Sequence, residues 1–214
     1  MGFLSKVLSQ TPTRFWVNNP SYSDMDKSIA AGARNVTTNP AYCSKLIKSE
    51  PEYMNEVIDS IIADTADDDI AADLVYQKAS KRAMDRFIGI YNESGGKEGY
   101  VTVQLDPRLD GNADTITEGA VRHAKLGPNY MAKIPVTAAG LKAIENVLRM
   151  GIPVCATEIF AISQAISACE IYKRITEKTG KNVPLYVTHI TGIFDEYLAK
   201  YAALNKIDIN PQVL

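Results

Sequence analysis

The chain has 214 residues, 46% of them hydrophobic, with 23 basic against 25 acidic side chains and a net charge of -2. That is enough apolar material for one sizeable core spanning residues 1–214, and the scattered, balanced charge excludes the basic footprint of a nucleic-acid or anionic-membrane binder. Three cysteines, Cys43, Cys155 and Cys169, lack CxxC spacing; they exclude a disulfide framework and a zinc site, and read as small buried fillers in a reducing cytoplasm.

The opening Met1-Gly2-Phe3-Leu4-Ser5-Lys6-Val7-Leu8 is too short for a signal peptide or a membrane span, and Lys6 spoils the faint acylation pattern at Gly2. Phe15-Trp16-Val17 is strand-like, and Ser23-Asp24-Met25-Asp26 has the form of a capping box for a helix that stops at Gly32. Asn35-Val36-Thr37 is a second short strand, after which Asn39-Pro40 supplies N-cap and N1 of a helix reaching about Ser49. Pro51 opens a helix with Met54, Val57, Ile58, Ile61 and Ile62 on one face, and a longer one carries Ile70, Leu74, Val75, Phe87 and Ile88. The second crossover is therefore unusually long. Asn92 to Gly99 is a Gly-rich turn, Tyr100 to Leu105 a strand, and Asp114 to Leu126 a helix ended by Gly127, in which His123 reads as a surface residue. Tyr130 to Ile134 is the fourth strand, with Thr137 as N-cap of a helix closed by Gly151. Pro153 to Ala156 and Val183 to Thr188 are the fifth and sixth strands, and helices follow each, the last from Gly192 to about Leu204.

Six βα units in alternation predict a parallel sheet. The absence of a Gly-rich dinucleotide fingerprint after the first strand favours a TIM-type (β/α) barrel over an open sheet. Lys133 then stands at the C-terminal end of the fourth strand, where such barrels keep their chemistry. Burial by Ala132, Ile134 and Pro135 is expected to lower its proton affinity, and a neutral amine is the nucleophile that condenses with a carbonyl. Lys133 is the first candidate for a Schiff-base residue.

Four segments stand in the order found in the transaldolase family, including its fructose-6-phosphate aldolase branch, which this chain resembles over about residues 15 to 200. They are Thr37-Thr38-Asn39-Pro40, Val103-Gln104-Leu105-Asp106-Pro107-Arg108-Leu109, Lys133-Ile134-Pro135-Val136-Thr137-Ala138-Ala139-Gly140-Leu141-Lys142-Ala143-Ile144, and Gly151-Ile152-Pro153 through Gln164. The resemblance implies a metal-free, cofactor-free barrel enzyme of carbohydrate metabolism in which Lys133 forms a Schiff base with a ketose. It places Gln104 and Asn18 at the strand-three and strand-one proton-transfer positions and Thr157 near a catalytic water. Asn39, with Thr38 beside it, falls at the substrate-binding motif. Two positions depart from the family. Asn18 stands for an aspartate, so the retro-aldol base is unassigned, with Asp106 and Glu158 as acids nearby. His189 stands for the arginine that holds the substrate phosphate, and gives up its permanent charge and bidentate fork.

Three readings follow. The first is a transaldolase-type transferase that moves a dihydroxyacetone unit from a ketose phosphate to an aldehyde; the second is an aldolase releasing the free donor, mildly favoured by Gln104. The third is a non-catalytic sugar-binding barrel, favoured by Asn18 and His189. The expected partner is a small sugar or sugar phosphate, with neither nucleic acid nor membrane. A closed barrel takes eight βα units, whereas the pattern supplies six and stops at Asn210-Pro211-Gln212-Val213-Leu214. C-terminal truncation is expected ahead of completion by strands of a second copy in a homo-oligomer.

Overall fold

The computed structural model describes residues 2–208. Six strands, β1 (Phe15–Asn18), β2 (Ala33–Thr37), β3 (Val101–Gln104), β4 (Tyr130–Pro135), β5 (Val154–Ile159) and β6 (Leu185–His189), pair in parallel in sequence order. Parallel neighbours cannot be joined by tight turns, so each connection crosses over through helix. The sheet curls into a half-barrel, six βα units of the TIM type, with β1 and β6 as its edges. The segment Asn210–Leu214, where the sequence pattern stops, lies outside the described residues, as does Met1.

Strand alternation sorts the apolar residues into two layers. Val36, Val101, Val103, Ala132, Ile134, Val154, Ala156 and Ile159 face outward and pack with helical residues such as Leu46, Met84, Phe87, Ile144, Leu148 and Ile171 in the main core. A smaller inner cluster gathers Tyr100, Met131 and Cys155, with Trp16, Tyr91 and Tyr186 against it. Trp16 of β1 and Tyr186 of β6 meet edge to face with centroids 5.0 Å apart. The two edge strands thus touch across the open side of the half-barrel without hydrogen-bonding to each other.

The helices are α1 (Phe3–Gln10), α2 (Tyr22–Ala31), α3 (Tyr42–Ser49), α4 (Pro51–Ile62), α5 (Asp68–Glu93), α6 (Ala113–His123), α7 (Ala138–Arg149), α8 (Ile162–Thr179) and α9 (Gly192–Asn205). None is long and apolar enough to cross a membrane. Helix α1, which the apolar pattern does not predict, lays Leu4 and Leu8 against Gly32. The long β2–β3 crossover is confirmed as α3, α4 and α5.

Several local expectations are corrected. The capping box of α2 is built from Ser21 and Asp24 instead of starting at Ser23: Ser21 Oγ accepts from the Asp24 N–H and Asp24 Oδ2 from the Ser21 N–H. Asn39 does not cap α3. Its carbonyl and side-chain oxygens accept from the Tyr42 and Ala41 N–H groups in a turn, and the helix begins at Tyr42. His123 is buried, not a surface residue, with Nε2 2.8 Å from Asp73 Oδ1. Burial pushes the Asp73 carboxyl up, but His123 and Arg122 more than offset this and hold it below its ordinary value. Cys155 is buried as expected, Cys43 is half-buried, and Cys169 is exposed.

The turn from β4 into α7 carries the tightest steric constraint. Thr137 caps the helix by accepting from the Gly140 N–H at 3.0 Å, and a Cβ on Gly140 would lie 1.8 Å from the Pro135 carbonyl oxygen. Only glycine lets the first turn of α7 approach the strand that ends just after Lys133. Gly140→Ala is expected to destabilise the fold by about 2–3 kcal/mol, the size of a typical overpacking penalty. Urea unfolding checks this, and an unchanged midpoint would show that the turn gives way freely.

Candidate active site

Lys133 projects from the inner face of β4, in register with Gln104 on β3 and Cys155 on β5. Its flanking residues Ala132 and Ile134 belong to the outer core. On the inner layer Met131 and Cys155 lie below and beside the lysine. Nζ donates to the Thr38 carbonyl oxygen at 3.1 Å. Burial pulls the Lys133 pKa below its ordinary value of 10.5, with Cys155 and Glu158 partly offsetting it. Lower proton affinity raises the share of neutral amine, the form that attacks a carbonyl.

The C-terminal ends of β2 and β3 are tied together by a phenol that the sequence pattern does not single out. Tyr76, on α5, places its hydroxyl 2.6 Å from Thr38 Oγ1 and accepts from the Gln104 N–H at 3.2 Å. Thr38 Oγ1 also donates to the Thr102 carbonyl at 2.6 Å. The Thr38 side chain is therefore fully committed to the scaffold, and what Thr38 offers the site is its backbone carbonyl. Burial pushes the Tyr76 phenol up to about 12, so it stays protonated.

Asn39 is locked to Asn19, a residue not anticipated from the sequence: Asn19 Nδ2 donates to Asn39 Oδ1 at 2.9 Å, and Asn19 Oδ1 accepts from the Asn39 N–H at 3.2 Å. Asn19 holds φ 47°, a left-handed conformation that asparagine tolerates better than most residues. Asn18 lies on the inner register of β1 and is exposed; its Oδ1 accepts from Thr37 Oγ1 at 3.0 Å. Thr157 is 2% exposed on β5.

His189 does not join this group. Tyr186 and Thr188 face inward, Thr188 Oγ1 lying 3.1 Å from Cys155 Sγ, and alternation leaves His189 on the outer register opposite Ile159, exposed. Asp106 is likewise engaged elsewhere, accepting from the Arg108 backbone and guanidinium, which hold its carboxyl below the ordinary value.

Glu158 behaves against simple alternation. The β5–β6 register slips between Ala156 and Ile159, and Glu158 takes φ 57° inside that irregularity. A left-handed non-glycine residue costs about 1–3 kcal/mol and is found where the surrounding structure imposes it. The result is that Gln104 Nε2 donates to Glu158 Oε1 at 3.2 Å, across the end of β4. Asp110, on the loop after β3, has its Oδ1 buried without a hydrogen-bond partner among the described residues. Burial, then Glu158 and Asp106, push its carboxyl up to about 6. A cavity of about 390 Å³ lined by Pro40, Cys43, Tyr76, Gln104 and Asp106 adjoins the site.

The chain matches the family model described as Transaldolase/Fructose-6-phosphate aldolase over residues 15–206. It is 31% identical over 165 residues to a transaldolase of Trichodesmium erythraeum, covering 73% of this chain and 43% of that protein. It is 34% identical over 145 residues to transaldolase 1 of Streptomyces coelicolor, covering 67% and 38%. With the transaldolase of Thiobacillus denitrificans the identity is 27% over 179 residues, 80% of this chain and 50% of the relative. The chain thus spans about half the length, or less, of the curated relatives it matches.

The raised Asp110 pKa has a stability consequence of definite sign. The charged carboxylate is disfavoured in the folded state, so its cost is absent below the unfolded value of 3.8 and fully present above about 6. Asp110→Asn is expected to raise the melting temperature at pH 8 and leave it nearly unchanged at pH 4. Thermal unfolding at the two pH values checks this, and an equal shift at both would remove the charge explanation.

Proposed function

The chain belongs to the transaldolase/fructose-6-phosphate aldolase family, and from that premise we propose that it is a Schiff-base enzyme that cleaves ketoses and transfers the ketol unit. The observation that carries this reading is the half-buried Lys133, in register with Gln104 and depressed in pKa by its surroundings. In the proposed reaction the neutral amine attacks the C2 carbonyl of a ketose phosphate, and loss of water leaves an iminium. The iminium draws electrons from the C3–C4 bond once the C4 hydroxyl gives up its proton. An aldehyde leaves, and the lysine-bound dihydroxyacetone enamine then adds to an acceptor aldehyde by the reverse of these steps.

Gln104 and Asn39 are suited to hold substrate hydroxyls or a water, and Thr157 lies on β5 on the other side of the lysine strand. Gln104 and Asn18 are amides and take no proton, so neither serves as base. The substrate is proposed to be a sugar phosphate, on the strength of the family. His189 is not proposed as its phosphate ligand, because it stands on the outer register. The composition and the free cysteines support a cytoplasmic location. Release of free dihydroxyacetone is a second reading, favoured by the neutral Gln104, and product analysis with and without an aldehyde acceptor separates it from transfer.

Borohydride reduction in the presence of fructose 6-phosphate, sedoheptulose 7-phosphate or dihydroxyacetone is expected to leave one covalent adduct. Peptide mass spectrometry should find it on Lys133, and Lys133→Ala should abolish both adduct and turnover. An adduct on another lysine, or none with any of the three ketoses, overturns the Schiff-base reading.

A further inference from the structure

We propose that Glu158 is the acid–base residue of carbon–carbon cleavage in this protein, taking the place left by the neutral Asn18. This inference rests on the Schiff-base reading of Lys133 above. Period-2 alternation along β5 would send the Glu158 side chain outward, into the apolar layer that holds Ala156 and Ile159. The register slip and the left-handed backbone at Glu158 reverse that direction, and its carboxylate comes to rest on Gln104 Nε2. Gln104 and Glu158 therefore converge from β3 and β5 on either side of the strand that carries Lys133.

The other acids nearby do not compete. Asp106 is held by Arg108, and Asp110 Oδ1 is buried without a hydrogen-bond partner among the described residues, whereas Glu158 Oε1 accepts from Gln104 Nε2. The charged groups that interact with Glu158 are Lys133 from β4 and Asp110 from the loop after β3; Asp106 acts on Asp110 in turn.

The step is balanced as follows. Glu158 Oε takes the proton of the C4 hydroxyl, directly or through one water; the O–H pair becomes the second C–O bond of the departing aldehyde. The C3–C4 pair becomes the C2–C3 double bond of the enamine as the iminium nitrogen is neutralised. Protonated Glu158 returns the proton to the new alkoxide when the acceptor aldehyde adds. Glu158 is thus a catalytic residue, and Gln104 orients its carboxylate.

The test compares Glu158→Gln with the parent protein, using fructose 6-phosphate as probe. The expected result is undiminished borohydride trapping on Lys133 and turnover reduced about 10²-fold or more with KM little changed. Retained imine trapping also shows that the variant is folded at the site. Normal turnover in Glu158→Gln overturns the assignment alone. If Glu158→Gln misfolds, Glu158→Ala with added formate still decides: turnover that the small carboxylate does not restore counts against Glu158 as the acid–base group. Absence of trapping in the parent protein overturns the Schiff-base reading itself.

Discussion

One buried phenol sets the relation between the candidate site and the rest of the molecule. The Tyr76 hydroxyl joins the Thr38 side chain to the Gln104 backbone, so helix α5 fixes the ends of β2 and β3 against each other. The Thr38 carbonyl, held in this way, is the acceptor that Lys133 Nζ meets. Losing the phenol would strand the Thr38 and Gln104 polar groups in a buried place, where an unpaired donor or acceptor costs about 1–3 kcal/mol. The position of the lysine amine thus depends on packing in the outer helix layer, some distance in sequence from any site motif.

The inner face carries a gradient from apolar to polar along the strands. Trp16, Tyr100 and Met131 occupy the lower levels of the inner face, with Tyr91 of α5 against Tyr100. Above them come Lys133, Gln104, Thr157 and the convergent Glu158. Backbone strain is found at this upper end, in the left-handed Asn19 and Glu158, and the unpartnered Asp110 oxygen lies there too. The lower levels supply cohesion and desolvation; the upper end spends part of that stability on geometry that an unconstrained chain would not adopt.

The six strands and their order were legible because buried parallel strands read as short apolar runs between glycine and proline boundaries, as at Tyr130–Pro135 and Val154–Ile159. Lys133 was legible because a lysine inside such a run is unusual. What was not legible depends on partners remote in sequence or on broken periodicity. His123 looks solvated beside Arg122 and Lys125, yet its partner Asp73 lies 50 residues away on α5. The α2 cap turned on a choice between Ser21 and Ser23, both good N-cap types, that only the backbone at Ser21 resolves. Glu158 defeats an alternation argument because a strand irregularity leaves no period-2 signature. Tyr76 is one aromatic among many apolar helix residues, and Asp110 one acid in a polar turn.

The contact between Trp16 and Tyr186 has an optical consequence. Trp16 is the chain's single tryptophan, and it sits where the two edge strands touch, on the same inner face as Lys133. Its emission therefore reports on the mouth-to-edge curvature of the sheet and not on the helix layer, which contains no indole. Tyrosines of the outer layer, such as Tyr42 and Tyr53, contribute only at shorter wavelengths. Excitation selective for indole consequently isolates the width of the half-barrel as a spectroscopic coordinate, separate from the melting of the helices around it.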